Sequence, residues 1–377
     1  MLEAAEKEKI TEQLIRLVQI DNASLQERAM ADAVEERLDA LGVVWEEDDT
    51  WKKTGGTAGN IFARIPGTGA PVLLCAHLDS VAPAVGKQAV VGEDGRITSL
   101  GNTVLGADDL AGVTEILETV RILQEQKREH RPIEILFTYA EELYDVGSEF
   151  FDFGKISAKE AYVLDSSGCS GTFLYKAPTI ISFEIEITGR AAHAGFEPER
   201  GIHAIRIAAE ILSQIQMGHI GEDTTVNVGE ICGGTGTNIV PERCVLRGEI
   251  RSYVHEKAQE ELAHIFEIAG NSAQKSGASA VVSSRIGIHA YETTPESAAW
   301  HRMKAACSRL NFPFLPKASF GGSDNNVLSQ HGIEGIVLAC GMEQVHSVNE
   351  YTTVQALAET TELLLELVSA EQEEKRC

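Results

Sequence analysis

Four stretches of this chain, Val72–Ala76, Ile133–Tyr139, Ala161–Leu164 and Gly335–Cys340, are apolar at nearly every position, with no polar-apolar alternation. A strand with one wet face alternates, whereas a strand buried on both faces need not. Such runs call for a mostly parallel sheet with helices on both sides, and the intervening sequence can supply them. Leu25–Leu41 and Asp108–Gln126 have helical periodicity, and Asn60–Pro66 reads as a further strand. Pro295–Leu310 is helical, and Val354–Ala370 reads as a closing helix.

Residues Thr179–Ala290 follow another rhythm. Ile180–Thr188 alternates as a strand, Ile202–Met217 is helical, and Thr224–Ile231 and Arg243–Arg251 are strands. His255–Gln274 is helical and Ala280–Ile288 is a strand. The order β-α-β-β-α-β is that of a ferredoxin-like domain. At 377 residues the chain exceeds what one core usually serves, so two domains are expected. The larger comprises residues 1–178 and 291–377, with 179–290 inserted as a smaller one.

The ends of the apolar strands carry the chemistry, since ligands of open α/β sheets bind beyond the carboxyl ends of strands. Val72–Ala76 runs into His77-Leu78-Asp79. Residues two apart on a strand share a face, so His77 can bind a metal while Asp79 accepts its other ring N–H. Taken alone, His-x-Asp is an ordinary polar strand end. Gly106-Ala107-Asp108-Asp109 precedes a helix. By itself it reads as a helix start with carboxylates matched to the dipole, and the alternative is a carboxylate bridging two metals. Glu141-Glu142 follows the third strand, either as its exit to solvent or with one glutamate on a metal and its neighbour acting as general base. On extended backbone the two side chains would point to opposite sides. Ala161–Leu164 ends in Asp165, and the last buried strand is followed by a loop bearing His346. Two histidines and at least three carboxylates at one sheet edge are enough for two ions such as zinc.

Fifty-seven acidic residues against 32 basic ones give a net charge of −25. That disfavours nucleic acid and anionic membranes as partners and favours cationic ligands, metals included. Many of these carboxylates read as solvated helix faces, such as Glu3–Glu12 and Glu371–Glu374. Met1–Ile10 reads as charged helix and not as a signal peptide, and no apolar run reaches the ~20 residues of a membrane span. Seven scattered cysteines without a Cys-x-x-Cys read as reduced thiols, so a cytoplasmic location is expected.

Together, His77-x-Asp79, Gly-Ala-Asp108-Asp109, Glu141-Glu142, Asp165 and His346 resemble, in order and spacing, the di-zinc exopeptidases and amidohydrolases. That family includes peptidase T, the aminoacylases, glutamate carboxypeptidase and succinyl-diaminopimelate desuccinylase, and the resemblance covers nearly the whole chain. It implies that His77 and Asp165 bind one metal, that Glu142 and His346 bind the other, and that Asp108 bridges. It further implies Glu141 as general base and Asp79 as the residue orienting His77. The inserted domain is similar to the family's lid and dimerisation domain, so a homodimer is expected. Within it, the Gly189–Gly195 stretch resembles the motif whose histidine, here His193, polarises the scissile carbonyl. Asn238 and Arg251 resemble residues that hold a substrate carboxylate. Gly321-Gly322-Ser323-Asp324 resembles a substrate-contacting loop, which makes Gly322 and Ser323 substrate-binding candidates.

An aspartate at position 165 resembles the aminopeptidase-type members, peptidase T above all, where other members more often have glutamate. Leu110 departs from the lysine that many members carry after the Asp-Asp pair. The expected activity is hydrolysis of an amide bond in small peptides by an aminopeptidase or tripeptidase. The alternatives are an N-acyl amino acid amidohydrolase or carboxypeptidase-like enzyme and, outside catalysis, a binding protein on the same scaffold. The presence of Glu141 beside intact ligands argues against the last.

Overall fold

The computed structural model describes residues 2–370, so Met1, the Glu371–Glu374 stretch and Cys377 lie outside the described residues. The chain divides into two compact units. One takes residues up to 175, 292–318 and from 323 onward; the other takes 176–291 and 319–322.

The larger unit is built on a nine-stranded sheet. Its centre is parallel: Ile133–Thr138, Val72–His77, Glu160–Ser167 and Glu334–Met342 lie side by side in that order. Every residue of Val72–His77 and Ile133–Thr138 is buried, the apolar majority together with Glu134, Thr138 and His77. Antiparallel strands flank this centre, with Ile61–Ile65 and Val44–Glu47 on one side and Thr172–Ala177 on the other. Because the four central strands run the same way, the chain leaves all of them at one edge, which brings His77, Glu141, Asp165 and His346 together.

The helix Ala107–Gln126 is buried from Ala107 to Leu123 and packs against Ala4–Val18, Val354–Leu367 and the Val72–His77 strand. It carries Glu115 and Glu118 into the interior along with its apolar residues. Leu110 is fully buried in the same core. Gly112 permits a close approach to the sheet: a Cβ there would lie 2.7 Å from the Leu164 Cβ and 2.4 Å from Asp109 Oδ1.

The smaller unit has its own core of Ile181, Ile185, Ile207, Ile211, Leu246, Ile250 and Ile265 with their neighbours. Its five-stranded antiparallel sheet runs in the order Gly218–His219, Thr224–Gly233, Arg243–Ser252, Thr179–Thr188, Ser279–Ile288. The helices Ala204–Leu212 and His255–Lys275 pack against it. Among the described residues, no helix is long and apolar enough to cross a membrane.

The structure corrects the reading of the Glu141-Glu142 pair as an extended strand end. The strand stops at Thr138, Ala140 takes a left-handed conformation, and Glu141–Leu143 forms a 3-10 turn. The helix read as Leu25–Leu41 starts only at Arg28, with Leu25 at φ 68°. The helix read as Ile202–Met217 is the shorter Ala204–Leu212.

Candidate metal centre

His77 is the last residue of its strand and is 1% exposed. Its backbone N–H donates to Asp109 Oδ2 at 3.2 Å, which ties the strand end to the start of the Ala107–Gln126 helix. Its ring is held on both sides. Nδ1 lies 3.1 Å from the Asp79 carbonyl oxygen and 3.3 Å from Asp79 Oδ1, while Nε2 lies 3.1 Å from Asp108 Oδ1 and 4.0 Å from Asp165 Oδ1. A ring nitrogen occupied by a carboxylate or carbonyl fixes the tautomer and leaves the other nitrogen free to ligate.

Asp108 faces both ways. Its Oδ1 is directed at His77 and its Oδ2 lies 3.2 Å from His346 Nε2, which is itself 3.0 Å from Glu142 Oε1. Asp108 and Asp109 do not have helical dihedrals, although they stand in the first turn of the helix. Two trios result, His77 with Asp108 and Asp165, and Asp108 with Glu142 and His346. Within each, one ligand atom per residue lies within 4.8 Å of the others. Glu142 Oε1 is buried and faces the His346 imidazole. Two imidazoles and three carboxylates that converge and share Asp108 fit a pair of divalent ions of the borderline type.

The turn bearing Glu141 and Glu142 is held from below. Asp79, fully buried, accepts the N–H groups of Glu141 (Oδ1, 3.0 Å) and Glu142 (Oδ2, 3.3 Å) and the Ser24 hydroxyl at 2.7 Å. Glu27 accepts the Ala140 N–H at 3.1 Å. Ala140, Tyr144 and Asp145 all have positive φ, a conformation that costs non-glycine residues of order 1–3 kcal/mol and persists where the surroundings over-determine it. Glu141 Oε2 ends 3.9 Å from His77 Nε2.

The electrostatics are those of a site starved of positive charge. Burial, then repulsion from Asp165, pushes the Glu141 carboxyl well above the usual carboxylate range. Burial, then Asp108, does the same to Asp165. Hydrogen bonds to Asp108 and Glu142 raise the His346 imidazole to about 10. Asp108 is opposed by burial, yet contacts from His346 and His77 hold its carboxyl below the ordinary range. A field that pulls protons onto both imidazoles attracts divalent cations still more strongly.

Several buried polar residues here were not singled out by sequence reasoning. Asp109 ties helix to strand, Glu27 supports the turn, and Glu350 accepts two backbone N–H groups beside Asp108. Asp145 and Asp324 are buried near Glu141, and Asp324 Oδ2 accepts the Thr138 hydroxyl at 2.6 Å. Sequence-distant hydrogen bonds leave no local pattern, although Asp109 and Asp324 do stand within motifs that the sequence shows.

The remaining candidates have contacts of their own. Ser323 is buried, and its side chain takes part in a reciprocal cap with Asn326 on the helix Asp324–Gln330. His193 is exposed in the smaller unit, its Nδ1 accepting the N–H groups of Gly195 and Phe196 and its ring stacked on Phe196 at 4.2 Å. Asn238 is exposed, and its carbonyl accepts the Ala194 N–H. The Arg251 guanidinium donates to both Glu249 oxygens, at 2.8 and 3.2 Å, and to the Phe320 carbonyl at 2.7 Å, in the same unit as Gly322.

Comparison with known proteins covers both units. Residues 60–166 match the model of peptidase family M28, and residues 175–276 match that of the M20 peptidase dimerisation domain. The chain is similar to a tripeptidase of Staphylococcus aureus subsp. aureus Mu50, with 30% identity, TM-score 0.93, and 96% of this chain and 97% of that one covered. It is similar to the aminopeptidase PepT of Bacillus cereus ATCC 10987, with 34% identity, TM-score 0.89, and 96% and 98% covered. The YqjE protein of Bacillus subtilis strain 168 is 35% identical over 364 residues, 96% of this chain and 98% of that protein.

Proposed function

We propose that this chain, which belongs to the M20 metallopeptidases of the peptidase T type and is a metal-dependent peptide hydrolase, is an aminopeptidase of tripeptidase type that works with two zinc ions. The observation that carries the reading is the pair of ligand trios sharing Asp108. On this reading His77 and Asp165 would hold one ion, Glu142 and His346 would hold the other, and Asp108 would serve both. The aspartate at 165 and the names of the similar solved structures support the aminopeptidase assignment over the amidohydrolase one.

When bound, the ions supply Lewis acidity, acidifying water and polarising a carbonyl oxygen. The rest is the work of this chain's residues. Glu141 takes a proton onto its carboxylate from the attacking water and returns it to the leaving amine nitrogen, a role typically worth 10²–10⁴-fold. Asp79 holds the His77 ring and the turn that carries Glu141, so base and ligand share one support. The family resemblance supports His193 as polarising the scissile carbonyl and Asn238 and Arg251 as holding the substrate carboxylate, with Gly322 and Ser323 in the contacting loop. A guanidinium suits a carboxylate because it binds it bidentately, as Arg251 already does with Glu249. The match of residues 175–276 to a dimerisation domain supports assembly as a homodimer through the segment 179–290, which we read as the lid domain. The six described cysteines are free thiols, the state a reducing cytoplasm maintains.

The test is hydrolysis by zinc-loaded protein of matched tripeptides with free and acetylated N-termini, with and without chelator. Chelator-sensitive cleavage that requires the free amine is expected. Preference for the acetylated series would replace the aminopeptidase with an amidohydrolase, and cleavage indifferent to chelator would remove the metals from the reaction.

A further inference from the structure

Glu350 stands four residues beyond His346 and is 2% exposed. Its Oε2 accepts the Gly106 N–H at 2.8 Å and its Oε1 accepts the Asp108 N–H at 2.9 Å. Both oxygens of one buried carboxylate thus clamp the backbone on either side of Ala107, at the start of a helix whose own N-cap, Gly106, offers no side chain. The first N–H groups of a helix have no partner within it, and a carboxylate is their natural acceptor. This cap comes from 242 residues away in sequence, in the segment that carries another candidate ligand.

The clamp is itself anchored. The Glu350 N–H donates to the Ser347 carbonyl at 3.1 Å, and Tyr351 exchanges two backbone hydrogen bonds with Glu343, closing the loop that holds His346. From Tyr351 the chain joins the Arg96–Ser99 strand. The Lys87 ammonium, 2% exposed, lies among Asn22, Ser80 and the Gly106 backbone. It donates to Asn22 Oδ1 and to Ser80 Oγ, and its charge acts on Glu350. Ser80 Oγ in turn donates to the Asp108 carbonyl at 3.5 Å. Gly106 has φ 76°, and a Cβ there would stand 2.8 Å from Lys87 Nζ. No other residue fits the turn without displacing that lysine.

We propose that Glu350 is a positioning residue that locks the Asp108 backbone to the His346 loop, and so sets the spacing at which Asp108 can bridge two ions. The proposal rests on the two-metal reading of the site. Asp108 reaches His77 with one oxygen and His346 with the other, so its backbone must be held against both halves at once. Glu350 supplies that link without touching either ion or substrate. Glu350→Gln keeps the volume but turns one acceptor into a donor facing an N–H. Glu350→Asp keeps the charge on a chain too short to meet both N–H groups.

Residues that orient metal ligands typically contribute 10–100-fold to metal affinity. Both variants should therefore lose affinity for the second ion by about that factor in cobalt titrations followed by calorimetry. Their cobalt visible spectrum and the magnetic coupling between the two ions should differ from those of the wild type, and the first ion should be retained. A role confined to stability would lower the unfolding midpoint and leave stoichiometry, affinity and spectrum unchanged. That result in both variants overturns the proposal. Should Glu350→Gln fail to fold, Glu350→Asp decides alone: wild-type cobalt binding by it sinks the role of Glu350. Wild-type protein that takes up no second ion sinks the two-metal reading itself, and the clamp with it.

Discussion

Glu141 and Glu142 are adjacent, chemically identical and both nearly buried, yet they are assigned different work. Their separation does not come from strand alternation. They occupy a 3-10 turn, where successive side chains fan out by about 120°, between left-handed Ala140 and Tyr144. Glu142 thereby reaches His346 at 3.0 Å, while Glu141 turns toward His77 at 3.9 Å. Replacing Glu141 with glutamine keeps its shape and removes its basicity, so kcat should fall by about 10²–10⁴ with metal content unchanged. Replacing Glu142 with glutamine removes a charged ligand, so metal affinity should fall first and activity should partly return in excess zinc. Metal stoichiometry and kcat measured on both proteins check the assignment. Metal loss from the Glu141 variant with retention in the Glu142 variant would reverse the two roles.

At the scale of elements, the site depends on how closely the Ala107–Gln126 helix lies on the Glu160–Ser167 strand. Gly112 sets that distance, because any Cβ there would collide with Leu164 and with Asp109, the residue that holds the His77 backbone. Gly112→Ala gains helix propensity but overpacks the contact, which typically costs about 1–3 kcal/mol. We expect a lower unfolding midpoint together with weaker metal retention, and a midpoint at or above wild type would show that the helix has room to spare. Such contacts also mark what the sequence conveyed. Strands buried on both faces are largely apolar, so Val72–His77 and Ile133–Thr138 were readable as runs despite Glu134, and the histidine and carboxylates at and beyond their ends were readable as chemistry. The short strands Arg96–Ser99 and Tyr351–Thr353 are mixed in polarity, and Ala89–Val91 is only three residues long, so none left a periodic trace. Asp109, Glu27 and Glu350 work through backbone N–H groups, which every residue has, so nothing in the sequence around their partners reveals them. The left-handed Ala140 was hidden for a related reason: two buried carboxylates below it impose the turn, against what its own side chain would favour.

For the whole molecule, the decisive fact is that all five candidate metal ligands belong to one of the two units, while the other has its own core and carries none of them. Without cations, Asp108, Glu142 and Asp165 face one another in a buried, net acidic setting within a chain of net charge −25, and that repulsion opposes folding of the ligand-bearing unit. A ligand that binds only the folded state stabilises it by about 2.7 kcal/mol at a hundred-fold excess over its Kd. Zinc should therefore raise the unfolding temperature of the larger unit, chelator should lower it, and the Lys176–Tyr291 segment should melt at an unchanged temperature. Scanning calorimetry of the whole chain, with tryptophan fluorescence as the reporter, separates the two. The three tryptophans of the sequence, Trp45, Trp51 and Trp300, all lie in the larger unit, so the fluorescence transition should follow zinc while part of the heat absorption does not. Fluorescence and heat absorption moving together by the same amount would mean that the two units unfold as one. A fluorescence transition indifferent to zinc would mean that the five side chains hold no ion, and the hydrolytic mechanism built on them would fail with it.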